Sequence, residues 1–218
     1  MRIAISGHSG CGNTTATKNV GSELGLDIIN YTFRNLAADL GLSFETIQKE
    51  SLTDPIYDYL TDFMLIRASQ RERVVIGTRL AAWIVHADLR IWLEAPVEAR
   101  AARIHAREQK GSESDSLAKT ILRDRENRQR YLELYGIDID DHDGFDLSIN
   151  THQLSAEQVS SLTVAAAKWA EGHKRAEANR HVARIKTIIR ERLGVSESAF
   201  ADESLDVRTL YERIRAGS

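Results

Sequence analysis

The N-terminal stretch MRIAISGHSGCGNTT constrains the fold of this chain more than any other segment. A short apolar run leads to Gly7 and Gly12, which have four residues between them, and these are followed by Asn13 and two threonines. A strand, G-x-x-x-x-G and a helix form the pattern of a phosphate-binding loop, whose backbone N–H groups surround phosphate oxygens. We therefore predict a nucleotide-phosphate site over 7–15, with a ligand-free glycine turn as the alternative.

Two residues of this loop determine whether it can bind a metal ion and how much positive charge it carries. Thr14 has the Ser/Thr position of the motif, whose hydroxyl is the expected ligand of a magnesium ion. Asn13 has the position that usually holds lysine, so its amide can donate a hydrogen bond but carries no charge. Lys18 cannot replace that lysine, because five positions along a helix rotate it by about 140° from Asn13. The missing positive charge must come from elsewhere in the chain.

The other strand candidates put the loop in an α/β fold. Apolar runs separated by stretches of helical period lie at 2–6, 26–30, 73–77, 89–95 and 145–150. Continuous apolar strands that alternate with helices predict a parallel sheet covered on both faces. Ligands of such sheets bind at the carboxyl ends of the strands.

A run of three helices is predicted between the second and third strands. Thr32 can cap the first helix and Ser43 the second, and Asp54-Pro55 is typical of the start of the third. Three helices without a strand indicate a lobe inserted into the sheet domain.

The C-terminal part of the chain is predicted to be helical. No strand is expected after about residue 165, and 173–194 and 202–217 read as amphipathic helices. We expect them to pack on the core or on a second subunit, as a homodimer would require. A nucleic-acid surface is the alternative, but interspersed acids such as Glu191 make a nucleic-acid partner the weaker interpretation.

Composition narrows the environment of the protein. The formal net charge of −3 means that an anionic ligand must be met by a local basic cluster. The single cysteine, Cys11, cannot form an intrachain disulfide, and the chain begins without a leader segment, so we expect a cytoplasmic protein. No apolar run approaches the roughly 18 residues that span a bilayer, so no membrane partner is expected.

Five segments resemble, in order and spacing, the short archaeal-type cytidylate kinases of the nucleoside monophosphate kinase family. They are ISGHSGCGNTT, FRNLA, TRLAAWIV, LRIWLEAPVEARAARI and RYLELYGIDIDD followed by FDLSINT. The resemblance implies a P-loop kinase fold with a five-stranded parallel sheet flanked by helices. It also implies transfer of the γ-phosphoryl group of ATP to CMP, and often to dCMP, with magnesium.

The resemblance also implies a division of the chain into functional parts. A nucleoside monophosphate kinase-like domain spans 1–165, with a monophosphate-binding lobe at 31–72 and a small lid at about 104–130. The remaining residues, 166–218, form a helical C-terminal extension.

Site residues follow from the resemblance by matching positions. It assigns the nucleotide donor to Gly7, His8, Ser9, Gly10, Cys11, Gly12, Asn13, Thr14 and Thr15, together with Arg103 and Arg107. It assigns binding of the phosphate acceptor to Arg34, Arg79 and Asn127, although related enzymes carry an acidic residue at the position of Asn127. Arg123 and Arg130 are lid residues that contact phosphates on closure, and with Asn13 they are the predicted catalytic residues. Surface ion pairs are the alternative interpretation of these arginines.

One further departure from the family pattern bears on activity. Relatives often carry a carboxylate at the end of the third strand, in a pattern like E-G-R, whereas this chain reads Gly77-Thr78-Arg79. We predict a cytidylate kinase. A kinase for another small monophosphate or hydroxyl acceptor, and a nucleotide-binding regulator without turnover, are the alternatives.

Overall fold

The computed structural model describes residues 1–172 and 180–217, and its centre is a five-stranded sheet in which every pair is parallel. The spatial order is β2-β3-β1-β4-β5, so the strand that leads into the loop lies in the middle. The strands are β1 (Arg2–Gly7), β2 (Asp27–Ile29), β3 (Val74–Gly77), β4 (Leu89–Glu94) and β5 (Leu147–Asn150). The predicted α/β class and parallel sheet are confirmed.

Helices connect the strands and continue after the last one. They are α1 (Asn13–Leu24), α2 (Phe33–Leu40), α3 (Phe44–Glu50), α4 (Ile56–Ala68), α5 (Ala81–Ile84), α6 (Val97–Glu108), α7 (Glu113–Tyr135), α8 (Ala156–Glu171), α9 (Arg180–Leu193) and α10 (Val207–Ala216), with a 3-10 turn at Glu197–Phe200. The predicted starts of α3 and α4 are confirmed. Ser43 Oγ accepts from the backbone N–H of Thr46 at 3.0 Å, and Asp54 Oδ1 accepts from that of Ile56 at 3.0 Å.

The two faces of the sheet are covered by different helices. Ile3 and Ile5 of β1 belong to a buried cluster with residues of α1 and α8. Ala4 and Trp92 belong to a second cluster that includes residues of α4, α5 and α9. Because both faces are covered, the strands are apolar at successive positions, which is the pattern the sequence shows.

The three helices between β2 and β3 form the inserted lobe, and α4 is the most buried of them. Ten of its thirteen residues are buried. On one side α4 contacts α2 of the lobe, and on another it contacts α9 and the 3-10 turn. The rings of Phe63 in α4 and Phe200 in the 3-10 turn have their centroids 5.0 Å apart. The helix therefore depends on residues from the C-terminal part of the chain.

The C-terminal extension is packed on the core through the apolar stripe of α9. Val182, Ile185, Ile189 and Leu193 are buried, and the last three belong to the same cluster as residues of α4 and α5. Residues 173–179, at the start of the predicted helix, lie outside the described residues. The division at 165/166 and the extents of lobe and lid stay predictions. None of the helices in the two described ranges is long and apolar enough to cross a membrane.

We expect Ile189→Ala to lower the free energy of unfolding by about 2–5 kcal/mol, because it removes a fully buried side chain from the interface between α9 and α4. Thr187→Ala, on the exposed side of the same helix, is the matched control and should change this free energy by less than about 1 kcal/mol. Denaturant unfolding followed by circular dichroism measures both. Equal effects of the two substitutions would contradict the packing of α9.

Candidate active site

The loop between β1 and α1 is shaped by glycines. Gly10 and Gly12 have φ angles of +87° and +103°, in the region that favours glycine. A Cβ on Gly10 would also lie 2.8 Å from the carbonyl oxygen of Arg100. The loop thus turns sharply from the sheet into α1, so the N-terminus of this helix meets the carboxyl end of β1, where an anion is stabilised.

Asn13 closes this loop from within. Its Nδ2 donates to the carbonyl oxygen of Gly7 at 2.6 Å, and its Oδ1 is buried without a hydrogen-bond partner. The amide therefore joins the first residue of α1 to the first glycine of the loop. A lysine at this position would add a positive charge, whereas Asn13 adds a hydrogen bond to the backbone of the loop.

Two arginines of α6 hold the outer side of the loop. Arg100 donates to the carbonyl oxygen of Ser9 at 3.2 Å and pairs with Asp124 of α7 at 2.7 Å. Arg103 donates to the carbonyl oxygen of Gly10 at 3.2 Å. Carbonyl oxygens that accept from these guanidinium groups turn away from the loop interior, and Arg103, which pairs with no carboxylate among the described residues, adds positive potential next to it.

Arg103 also borders a cavity beside the loop. The cavity has a volume of about 230 Å³, and it is lined by Cys11, Gly12, Thr15, Ala16, Arg103, Thr151, Leu154, Ala156 and Val159. Arg103 donates to the Thr151 carbonyl oxygen at 2.6 Å, which fixes the segment between β5 and α8. Burial raises the pKa of the Cys11 thiol to about 11, so it stays neutral and contributes bulk. An apolar slot with one planar cation suits a flat heterocycle.

His8 lies on the other side of the loop. Its ring contacts Trp92 edge to face at 5.3 Å, and its Nε2 lies 3.2 Å from a carboxylate oxygen of Asp140. Burial lowers the pKa of His8, against the opposing effect of Asp124. The imidazole is thus neutral at neutral pH and does not replace the missing lysine charge.

Arg79 lies between the loop and α7. Its Nη2 donates to Ser9 Oγ at 3.3 Å, and its Nη1 donates to Asn127 Oδ1 at 3.4 Å and to the Tyr131 hydroxyl at 3.3 Å. Arg79 pairs with no carboxylate among the described residues, and the Asn127 Nδ2 beside it is buried without a partner. The Arg79 guanidinium thus contacts both Ser9, which is predicted to bind the nucleotide donor, and Asn127, which is predicted to bind the phosphate acceptor.

Arg130 is bound to the inserted lobe. Its Nε donates to Asp58 Oδ1 at 2.7 Å, its Nη2 contacts the second oxygen of that carboxylate, and it donates to the Ser51 carbonyl oxygen at 2.6 Å. One turn further along each helix, the Tyr135 hydroxyl donates to Asp62 at 2.6 Å. Two carboxylates of α4 thereby join α7 to the lobe. The prediction that Arg130 contacts phosphate stays untested.

Three other predicted arginines do not contact the loop. Arg34 of α2 lies over the Phe44 ring at 4.1 Å, and Arg107 pairs with its neighbour Glu108. Within the two described ranges, Arg123 makes no hydrogen bond or ion pair. Neither Arg34 on the lobe nor Arg123 on α7 has a carboxylate within ion-pair distance among the described residues.

Comparison with known sequences identifies the family. The family model described as the cytidylate kinase-like family matches residues 2–153. The chain belongs to this family. The resemblance inferred from sequence segments is confirmed.

Alignments of this chain with relatives in the family extend over most of each relative's length. Cytidylate kinase 2 of Borreliella afzelii (strain PKo) is 41% identical over 167 residues, which are 74% of this chain and 93% of the relative. The cytidylate kinase of Pyrococcus horikoshii is 41% identical over 167 residues, which are 75% of this chain and 86% of the relative. About a quarter of the present chain thus has no counterpart in these alignments.

Solved structures show the same architecture at lower sequence similarity. A shikimate kinase from Bacteroides thetaiotaomicron aligns with a TM-score of 0.54 and 16% identity, over 78% of this chain and 98% of that one. A deoxyadenosine kinase from M. mycoides with bound dATP aligns with a TM-score of 0.52 and 16% identity, over 77% and 100%. The P-loop kinase fold of this family member is confirmed.

Sequence reasoning missed four residues that shape the site in this family member. Arg100, Asp124, Tyr131 and Thr151 contact predicted site residues, but none was assigned a role. Thr151 directly follows β5, and carboxyl strand ends were already predicted to bind ligands, so a signal for it existed. The other three lie on helix faces whose partners are distant in sequence.

We expect the contribution of the Asp62 carboxyl to the free energy of unfolding to decrease as the pH rises from about 4 to about 7. Burial raises the pKa of Asp62 to about 7, so over this interval the folded state holds a proton that the unfolded state has lost. Asp62→Asn cannot titrate. The free energy of unfolding of the parent relative to this variant should therefore decrease across the interval, as denaturant unfolding at several pH values would measure.

Tyr135→Phe is the second variant of this test. The tyrosine hydrogen bond lowers the Asp62 pKa against the effect of burial, so its removal should raise this pKa and extend the decrease to higher pH. Parallel pH profiles of the parent and Asp62→Asn would contradict the prediction.

Proposed function

We propose that this protein transfers the γ-phosphoryl group of ATP to CMP. The observation that carries the proposal is the position of Arg79, whose guanidinium spans from Ser9 of the loop to Asn127 and Tyr131 of α7. A cation there can bind an acceptor phosphate next to the donor phosphates. The names of the relatives, cytidylate kinase and cytidylate kinase 2, support CMP as the acceptor.

The donor nucleotide is proposed to bind along the loop. Its phosphates lie against the backbone N–H groups of the loop, and its adenine fills the cavity between Thr15 and Leu154, beside Arg103. Thr14, exposed in the first turn of α1, can supply its hydroxyl to magnesium. When bound, magnesium neutralises charge on the donor phosphates. In the two described ranges no cluster of acidic, cysteine and histidine residues could hold a metal ion, so substrate phosphates and water must complete the coordination.

The acceptor is proposed to bind between the lobe and α7. Arg79 and Arg34 hold the CMP phosphate, and Asn127 faces its sugar or base. An oxygen of this phosphate attacks the γ-phosphorus in line, the bond to the β-phosphate oxygen breaks, and ADP leaves. Alignment and charge neutralisation are the main tasks of a protein in such a reaction. The use of dCMP belongs to the same proposal.

Arg123 is proposed to supply the charge that Asn13 lacks. It lies on the same face of α7 as Asn127, one turn away, and has no carboxylate within ion-pair distance in the described part of the chain. Arg130 is less available, because Asp58 and the Ser51 carbonyl oxygen already bind it. On closure Arg123 would stabilise charge that builds up on the leaving phosphate and would help to exclude water.

An acceptor panel tests the proposed function. With ATP and magnesium, ADP release should be faster with CMP than with AMP, GMP or UMP, and dCMP should also be phosphorylated. Equal or faster turnover of AMP would reject CMP as the preferred acceptor. Turnover only with a hydroxyl acceptor such as shikimate would support the kinase fold with another substrate. ATP binding without turnover of any acceptor would favour a nucleotide-binding regulator.

The role of Arg123 is tested together with Asn13. We expect Arg123→Ala to lower turnover on the order of a thousandfold, the scale of a lost phosphoryl-transfer arginine. Asn13→Lys should reduce this penalty, because the introduced ammonium group supplies charge at the same phosphates. Turnover of both single variants and the double variant gives their coupling. Arg125→Ala, an exposed arginine on the same helix, is the control, and additive effects would rule out compensation.

Two predictions from sequence accompany this proposal without a test in the structure. One is a cytoplasmic location, which is expected because the single cysteine, Cys11, cannot form an intrachain disulfide. A homodimer through the C-terminal extension is the other, and sedimentation of the purified protein would decide it.

A further inference from the structure

The C-terminal extension lies beyond the part of the chain that the family model describes. That match ends at residue 153, whereas α9, the 3-10 turn and α10 follow later. These elements do not extend away from the molecule. α9 contacts α4 and α5, and α10 contacts α2 and α4, so the extension covers the inserted lobe that we propose binds CMP.

Within the lobe, the segment from Glu50 to Asp58 joins α3 to α4, and we call it the α3–α4 corner. The α4 side of the corner is anchored by the buried side chains of Ile56 and Tyr57, whereas Leu52 in the bend itself is 75% exposed. The remaining contacts that fix the corner are polar. From α7, Arg130 binds the Ser51 carbonyl oxygen and the Asp58 carboxylate.

From the opposite side, Arg215 of α10 binds the same corner. Its Nη1 lies 2.6 Å from Asp54 Oδ2, and its Nη2 donates to the Tyr57 hydroxyl at 3.2 Å. The guanidinium also lies over the rings of Tyr57 and Tyr211, at 5.6 and 5.1 Å from their centroids. The Tyr57 hydroxyl in turn donates to Glu50 at the end of α3. One guanidinium thus joins both ends of the bend to the extension.

We propose that Arg215 is a positioning residue for the CMP site. It acts through the α3–α4 corner, because Asp54 and Tyr57 are in the same turn as Asp58. By fixing this turn, Arg215 sets the place of the carboxylate that holds Arg130. This inference rests on the proposed function, since CMP is taken as the ligand between the lobe and α7.

Other contacts of the extension explain why the effect is directed to the acceptor side. Arg208 donates to the carbonyl oxygen of Asp39 in α2 at 3.0 Å, and Arg184 donates to the Tyr135 carbonyl oxygen at the end of α7. The extension therefore binds the lobe and α7 together. None of the residues that line the cavity proposed for adenine belongs to α9 or α10.

Arg215→Ala in the full chain tests the proposal. We expect its KM for CMP to rise about tenfold while its KM for ATP stays unchanged, because only the acceptor side loses a support. Arg215→Lys restores the charge beside Asp54 and should recover part of the loss. Arg213→Ala is the matched control, since Arg213 lies on the same helix and bonds to Gly194 within the extension. It should leave both constants as in the parent.

A cycle with Asp58 separates positioning from a general loss of stability. In an Asp58→Asn background, Arg215→Ala should have little further effect on the KM for CMP, because the path to Arg130 is already broken. Equal rises in both KM values, an effect of Arg213→Ala as large as that of Arg215→Ala, or full additivity with Asp58→Asn would overturn the proposal.

Amide hydrogen exchange provides a readout that does not depend on turnover. In Arg215→Ala, amides of residues 50–58 should exchange about tenfold faster, while those of α1 stay as in the parent. If the parent phosphorylates no acceptor, the proposed function fails, and this measurement still decides whether Arg215 holds the corner. Unchanged exchange at 50–58 would overturn the role of Arg215.

Discussion

The burial of α4 is the constraint on which the arrangement of this protein depends. A helix with ten buried residues out of thirteen has no broad face left for water, so other elements must surround it. The sheet helices, the lobe and the extension meet on this one element. The extension is therefore part of the apolar core, as the contact between Phe63 and Phe200 illustrates.

The carboxylates on this buried helix also require polar partners on neighbouring elements. Asp58 and Asp62 are four residues apart and so lie on the same face of α4, which is turned towards α7. An unpaired charge there would be very costly, and Arg130 and the Tyr135 hydroxyl meet this requirement. Helix α7 is thus connected to the lobe because the buried carboxylates of α4 require polar partners. The geometry of the acceptor side follows from the same contacts.

The sequence predicted what depends on local pattern and missed what depends on distant contacts. The strands that flank the loop, the cap at Ser43 and the start of α4 follow from short-range periodicity and capping chemistry. The contacts of Arg130 with Asp58 and of Arg215 with Asp54 join residues 72 and 161 positions apart, and helical spacing alone does not choose between a ligand and a carboxylate. For Arg130, the sequence predicted phosphate contact, and the structure shows a lobe contact that competes with it.

Thr17 of α1 contacts both positions at which the chain departs from the family pattern, the backbone of Asn13 and the Cα of Gly77. The Thr17 hydroxyl donates to the Asn13 carbonyl oxygen at 2.7 Å, and a Cβ on Gly77 would lie 2.0 Å from that same hydroxyl oxygen. Since α1 lies this close to the end of β3, no carboxylate fits at position 77 while Thr17 is present. The missing carboxylate thus has a steric reason in the packing of α1 against β3, whereas the hydrogen bond from Thr17 would form with the backbone of any residue at position 13. With neither a lysine in the loop nor a carboxylate at the strand end, the proposed reaction requires charge neutralisation by arginines outside the loop.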